Sequence, residues 1–156
     1  MRKNKLFWLV AFLGLTIDQV SKFFIINYLI QGTLPLLPNV FHLTYATNTG
    51  AAWSVFQGGV NWLKWLSLLV SLFLIYFALY GPTQKRFEQI GYGFILAGSL
   101  GNGIDRFVWG HVVDFLDLRL IHFPIFNVAD ISINIGIFAL LLGLFFDSSQ
   151  KKRSNN

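Results

Sequence analysis

The sequence predicts an all-α membrane protein, four transmembrane helices with a small extracytoplasmic sheet lying at the membrane surface. Three observations carry this reading. Four apolar windows are each long enough to cross a hydrocarbon core. Only 12% of the 156 residues are charged while 54% are hydrophobic, where a soluble domain carries about a quarter charged. The basic residues cluster beside the apolar windows, so the net charge of +5 reports topology rather than a nucleic-acid surface. With no cysteine in the chain, disulfides, thiolate metal sites and a cysteine nucleophile are excluded.

The first window, Leu6–Ile30, follows a basic start at Arg2, Lys3 and Lys5. Asp18 and Lys22 interrupt it and no small-residue cleavage site follows, so it is expected to be retained rather than removed as a leader. The second, Val60–Tyr80, has aromatic residues suited to both interfaces and ends at Gly81-Pro82, which breaks a helix. The third runs Phe87–Val108 and the fourth Val128–Phe146. At about 1.5 Å per residue each can span a core of about 30 Å. Residues 1–147 are therefore expected to form a single integral membrane domain, and 148–156 a disordered polar cytoplasmic tail. The clusters at the amino terminus, at Lys85 and Arg86, and at Lys151, Lys152 and Arg153 fall on one side. The positive-inside bias makes that side cytoplasmic, with both termini.

The first connection, Gln31–Gly59, has no Lys, Arg, Asp or Glu and belongs outside with the third. Within it, Val40–Tyr45 mixes β-favouring residues after Pro35 and Pro38 have excluded helix. In the third, Phe115–Phe126 puts Asp117 and Arg119 on one face and Leu116, Leu118 and Leu120 on the other. Two short strands forming an interfacial sheet fit this pattern, and so do two irregular amphipathic loops.

Asp114 and Asp130 lie between the last two windows, near one membrane face. A carboxylate at a lipid boundary is costly and points to function. Two held together can share a proton and activate water. Asp130 also has a structural explanation, because Asn127 three residues earlier forms a helix-capping pair with it. The two readings are compatible. The helix dipole would favour the ionised form of Asp130, and Asp114, among Val112, Val113 and Phe115, would hold the shared proton.

Other polar residues have weaker signals. Asp18 and Lys22 have the spacing of an intrahelical ion pair, and either a structural or a substrate-facing role fits. Gly98, Gly101 and Gly103 allow close helix approach next to Asn102, Asp105 and Arg106. Asp105 and Arg106 are expected to neutralise one another at the outer interface, or to bind. Asn48 alone reads as a turn residue. His42, His111 and His122 lack metal-ligand spacing, so no metal or other cofactor is expected. A small transporter using Asp18, Lys22 and Asp105 is a rival reading, but the repeats and broken helices of transporters are not visible. A purely structural membrane subunit is another.

Read together, Asp18-Gln-Val-Ser-Lys22, Asn48-Thr-Gly-Ala-Ala-Trp53, Gly101-Asn-Gly-Ile-Asp-Arg106, Val112-Val-Asp-Phe115 and Phe126-Asn-Val-Ala-Asp130 resemble, in order, the motif blocks of lipoprotein signal peptidase (signal peptidase II). The resemblance implies a bacterial inner-membrane aspartic endopeptidase that removes the signal peptide from diacylglyceryl-modified prolipoproteins, cutting before the lipidated cysteine. It implies Asp114 and Asp130 as the catalytic pair. Asp18, Lys22, Asn48, Gly50, Asn102, Asp105, Arg106 and Asn127 match positions that support or contact the substrate pocket. It further implies an outer β-cradle, a short helix or loop covering the site, an active site at the outer face, and no metal. Its partners would be lipid-modified prolipoproteins and membrane lipids, not nucleic acid, and the protein would act as a monomer. One departure is visible: the family's Gly-Gly appears as Ala97-Gly98, which puts local packing in question.

Overall fold

Helix α3 (Arg86–Val108) packs against all three other helices, α1 (Lys5–Tyr28), α2 (Val60–Tyr80) and α4 (Val128–Ser154). Its sequence explains this central place. Gly91, Gly93, Ala97, Gly98 and Gly101 are all buried on it, and small residues let helix backbones approach closely. At Gly101 a β-carbon would overlap the Asp18 carboxylate of α1, so that contact requires glycine. The extra methyl of Ala97 meets no side chain opposite, because it faces Gly14, where an added β-carbon would sit 2.8 Å from it. The Ala97-Gly98 departure is thus absorbed on α1. The computed structural model describes residues 3–30, 32–50, 60–121 and 123–154, the side chains of 149–154 excepted.

α1, α2 and Val128–Ser148 of α4 are long and apolar enough to cross a membrane. Their outward faces leave Phe12, Phe24, Leu69, Phe73, Leu141 and Leu144 more than half exposed, an apolar surface far larger than water-soluble proteins present. α3 departs from the four-span expectation. It is 23 residues long, yet it is not among the helices apolar enough to count as a span. The reason is its position: a helix enclosed by three others meets protein rather than lipid and needs less apolar surface. A cluster of Phe7, Ala11, Leu74, Ala78 and Leu96 fills the space among α1, α2 and α3.

Strands β1 (Thr33–Leu37), β2 (Phe41–Asn48) and β3 (Val112–Leu118) form one antiparallel sheet in that order. The pairing settles the choice between strands and loops for both connections. The bounds differ from the expected ones, however. β3 begins three residues before Phe115 and so carries Asp114 on a strand, and it ends in a 3-10 turn at Arg119–Ile121. β1 was not expected. Its Pro35 is tolerated because β1 is an edge strand, where a missing N–H costs no ladder bond. Ile25 of α1 packs with Val113 and Phe115 of β3, seating the sheet over the carboxyl-terminal end of α1. Gly110, with φ of 71°, makes the turn from α3 into β3.

Two further expectations change. The polar tail is helical to Ser154 as part of α4, since Gln, Lys and Arg are good helix formers and no Gly or Pro stops propagation. The first span ends at Tyr28 rather than Ile30. Arg2, Ala51–Gly59 with its covering segment, and His122 lie outside the described residues.

Candidate active site

Asn127 organises the site, and its local sequence explains how. Asn127 precedes α4, and its Oδ1 accepts the Asp130 N–H at 3.0 Å. Asp130 Oδ2 in return accepts the Asn127 N–H at 3.1 Å. This is the reciprocal cap that the Asn-x-x-Asp spacing predicts. The Asn127 amide is then free to reach sideways. Its Nδ2 donates to Asp114 Oδ1 at 2.7 Å and to Asn102 Oδ1 at 3.0 Å. One asparagine therefore holds both carboxylates.

The remaining bonds complete the arrangement. Asp114 Oδ2 accepts from Asn48 Nδ2 at 3.0 Å, and Asp130 Oδ1 accepts from Asn102 Nδ2 at 2.8 Å. Asp114 comes from β3, Asn48 from the end of β2, Asn102 from α3 and Asp130 from α4, so the site exists only in the assembled fold. Asp114, Asp130, Asn48, Asn102 and Arg106 line one cavity of about 870 Å³. Asp114 is 3% exposed. Burial pushes its carboxyl up to about 7, and the neighbouring charge of Asp130 adds to the rise. The bonds from Asn48 and Asn127 oppose this without reversing it.

Asn48 is more than a turn residue. While its amide binds Asp114, its Oδ1 accepts the Gly50 N–H at 2.9 Å. Gly50 in turn offers its carbonyl to Arg106 Nη2 at 3.1 Å, and Arg106 Nη1 reaches the Asn102 carbonyl at 3.2 Å. The expected neutralisation of Asp105 by Arg106 is therefore not what forms. Adjacent helix residues point in different directions. Asp105 instead pairs with Lys22 of α1 at 2.8 Å and accepts the Val113 N–H at 3.1 Å.

Lys22 also pairs with Asp18 at 2.9 Å, one turn away on α1, and donates to Asn102 Oδ1 at 3.3 Å. The Asp18–Lys22 pair predicted from spacing is present, but it is one part of a larger network. Asp18 Oδ1 accepts the Ala129 N–H at 2.9 Å, which satisfies a donor in the first turn of α4. Asp18, Lys22 and Asp105 are each at most 3% exposed. Gln19 was missed: its Nε2 donates to Asp18 at 3.1 Å and to Asp105 at 3.3 Å. A polar residue beside Asp18 in an apolar helix was the available signal. Of the histidines, His42 is buried on β2 opposite Asp117, and His111 lies in the turn before β3.

Known proteins match this chain along nearly its whole length. Residues 10–146 match the family model described as Signal peptidase (SPase) II. A lipoprotein signal peptidase of Microcystis aeruginosa is 60% identical over 146 residues, covering 92% of this chain and 94% of that one. One of Synechocystis is 58% identical, covering 97% and 95%. A bacterial membrane enzyme solved by the in meso method at 2.3 Å superposes with a TM-score of 0.81 at 34% identity, covering 92% of this chain and 89% of that one. The five motif blocks, the membrane-length helices and these matches place the chain in the signal peptidase II family of bacterial membrane proteases.

Proposed function

We propose that this protein is an interfacial aspartic endopeptidase of the bacterial inner membrane. It removes signal peptides from diacylglyceryl-modified prolipoproteins and cuts just before the lipidated cysteine. What supports the chemistry is one observation: two carboxylates held by a single asparagine face a common cavity, and one of them keeps its proton to about pH 7. In the reaction Asp130 takes a proton from water as the oxygen attacks the scissile carbonyl carbon. Asp114 donates its proton to the carbonyl oxygen, giving a neutral gem-diol. As the C–N bond breaks, Asp130 passes its proton to the leaving nitrogen and Asp114 recovers one from the diol. No cofactor or metal enters this scheme.

The membrane setting supports the substrate. Drawing acyl chains out of lipid costs about 0.8 kcal/mol per methylene, so a peptidase for lipidated chains works at the bilayer surface. In this reading α3 crosses with the other three helices, both termini are cytoplasmic, and the sheet and both aspartates lie at the outer face. Residues 1–147 act as one domain and as a monomer. Asn48, Gly50, Asn102, Arg106 and Asn127 contact or shape the substrate pocket, and Asp18, Lys22 and Asp105 support it from behind.

The test is cleavage of a synthetic diacylglyceryl prolipoprotein peptide, with the product identified by mass. Wild-type protein yields a peptide beginning at the lipidated cysteine, and Asp114→Asn and Asp130→Asn yield none while unfolding at wild-type temperatures at pH 5. Turnover retained by either variant refutes the paired-aspartate mechanism.

A further inference from the structure

The cavity extends past the carboxylates along the helices, and among the apolar residues that line it there, Ile131, Ile133 and Ile135, stand polar side chains that the bundle does not need. Ser67 of α2, Ser99 of α3 and Asn134 of α4 all line it. Asn134 stands four residues beyond Asp130 on α4, about 6 Å along the axis away from the sheet. It is exposed in a stretch apolar enough to cross a membrane. Its Nδ2 donates to the Asp130 carbonyl at 2.9 Å, and among the described residues its Oδ1 has no partner. Ser99 lies one turn before Asn102 on α3, at the matching depth. Ser67 packs where a β-carbon on Gly103 would meet it at 3.2 Å.

The serines can be compared with others in the same helices. Ser71 turns its hydroxyl back onto the Ser67 carbonyl at 2.8 Å, and Ser132 onto the Val128 carbonyl at 2.9 Å. That is the usual way a helical serine is satisfied in an apolar setting. Among the described residues, the hydroxyls of Ser67 and Ser99 make no such bond and remain available to the cavity. Three uncommitted polar groups from three helices therefore face one space, Ser67 beside Gly103 and level with Asn102, Ser99 and Asn134 about one turn deeper than Asn102 and Asp130.

A substrate peptide would need them. A signal peptide crosses lipid as a helix, but the bond to be cut must leave that helix to lie flat against Asp114 and Asp130. The end of a helix leaves up to four carbonyls without intrahelical partners. At membrane depth unpaired peptide groups are costly. We propose that Ser67, Ser99 and Asn134 form a polar wall that binds the last turn of the signal-peptide helix, on the amino-terminal side of the scissile bond. The donors are the two hydroxyls and the second N–H of the Asn134 amide. This rests on the peptidase reading above and adds where the departing half of the substrate is held.

The test uses full-length protein and two lipidated peptides, one with a complete apolar signal segment and one truncated two residues before the cysteine. In Ser67→Ala/Ser99→Ala/Asn134→Leu, KM for the long peptide rises about 20-fold, at about threefold for each bond lost between membrane helices, while kcat moves less than twofold. The KM penalty shrinks on the truncated peptide, and Asn134→Gln in place of Asn134→Leu recovers part of the affinity. An unchanged KM, a fall in kcat alone, or an equal penalty on both peptides overturns the proposal. Wild-type protein that cuts neither peptide overturns the peptidase reading and this one with it. Wild-type cleavage with an indistinguishable variant overturns this one alone.

Discussion

The Asp18–Lys22–Asp105 cluster is fully buried and the Asp114–Asp130 pair half so, with Asp114 buried and Asp130 partly open; both are acidic and both are tied to Asn102. Asn102 Oδ1 accepts from Lys22, and Asn102 Nδ2 donates to Asp130. The first cluster is closed. A lysine sits between its two carboxylates, backbone N–H groups of Ala129 and Val113 take up further oxygens, and none of the three residues is among those lining the cavity. The second is open. Its carboxylates are held by neutral amides, face each other's charge and line the cavity. The same residue type thus serves two ends, decided by whether a cation closes the group. A lysine between carboxylates makes a joint between helices. Amides around carboxylates leave the pair open to the cavity, as the proposed proton exchange requires.

The largest effect that would break this contrast is on turnover. Asp114→Asn or Asp130→Asn should lower kcat by about 10⁴-fold or more, the scale seen when one member of a catalytic unit is removed, with little change in unfolding temperature at pH 5. Lys22→Met should do the reverse. It leaves two buried carboxylates without their cation, and breaking a buried pair in this way costs about 3–5 kcal/mol. Thermal unfolding in detergent measures it. Adding Asp18→Asn and Asp105→Asn should recover most of the loss, because the amide oxygens can still accept from Ala129 and Val113. A stable but inactive Lys22→Met would dissolve the distinction between the two clusters.

The pH dependence sharpens the same contrast. In the proposed mechanism Asp114 must carry its proton to donate, so kcat/KM should fall about tenfold per unit above about pH 7. Lys22 lies close enough to pull the Asp114 carboxyl down, so in any Lys22→Met protein that survives, this limb should move to higher pH. Stability follows the opposite sign to an ordinary ion-paired aspartate. The folded value is raised above 3.8, so the contribution of Asp114 is complete below pH 3.8 and is lost as pH rises through about 7. Asp114→Asn should therefore gain unfolding temperature relative to wild type at pH 8 compared with pH 5. No difference between the two pH values would show that the Asp114 proton is not tied to its burial.

What the sequence revealed follows from how local each feature is. Three of the four expected spans were legible because lipid sets their length, and α2 matches at both ends. The Asn127–Asp130 cap was legible because both partners lie within one turn. The Lys22–Asp105 pair and the Asp18–Ala129 bond were not, since they join residues 83 and 111 positions apart. The start of β3 was hidden for a related reason. Val112–Asp114 pairs with Ala46–Asn48 of β2, and strand limits are set by the partner strand rather than by local pattern. The central role of α3 was half visible: its glycines announced close packing, but not that enclosure would excuse its low apolarity.

The smallest expected effect comes from the end of the bundle away from the sheet. Lys85 ion-pairs with Asp147, joining the start of α3 to α4 much as Lys22 joins α1 to α3. The chemistry is the same and the surroundings are not, since the two side chains are 65% and 46% exposed. Solvent screens such a pair and side-chain entropy offsets the rest. The helix start does not depend on it either, because the Glu88 carboxylate accepts the Lys85 backbone N–H at 2.7 Å whatever side chain stands there. Lys85→Ala should therefore leave the unfolding temperature and turnover where they were. A loss approaching that of Lys22→Met would mean that joining helices, and not burial, is what makes an ion pair matter in this fold.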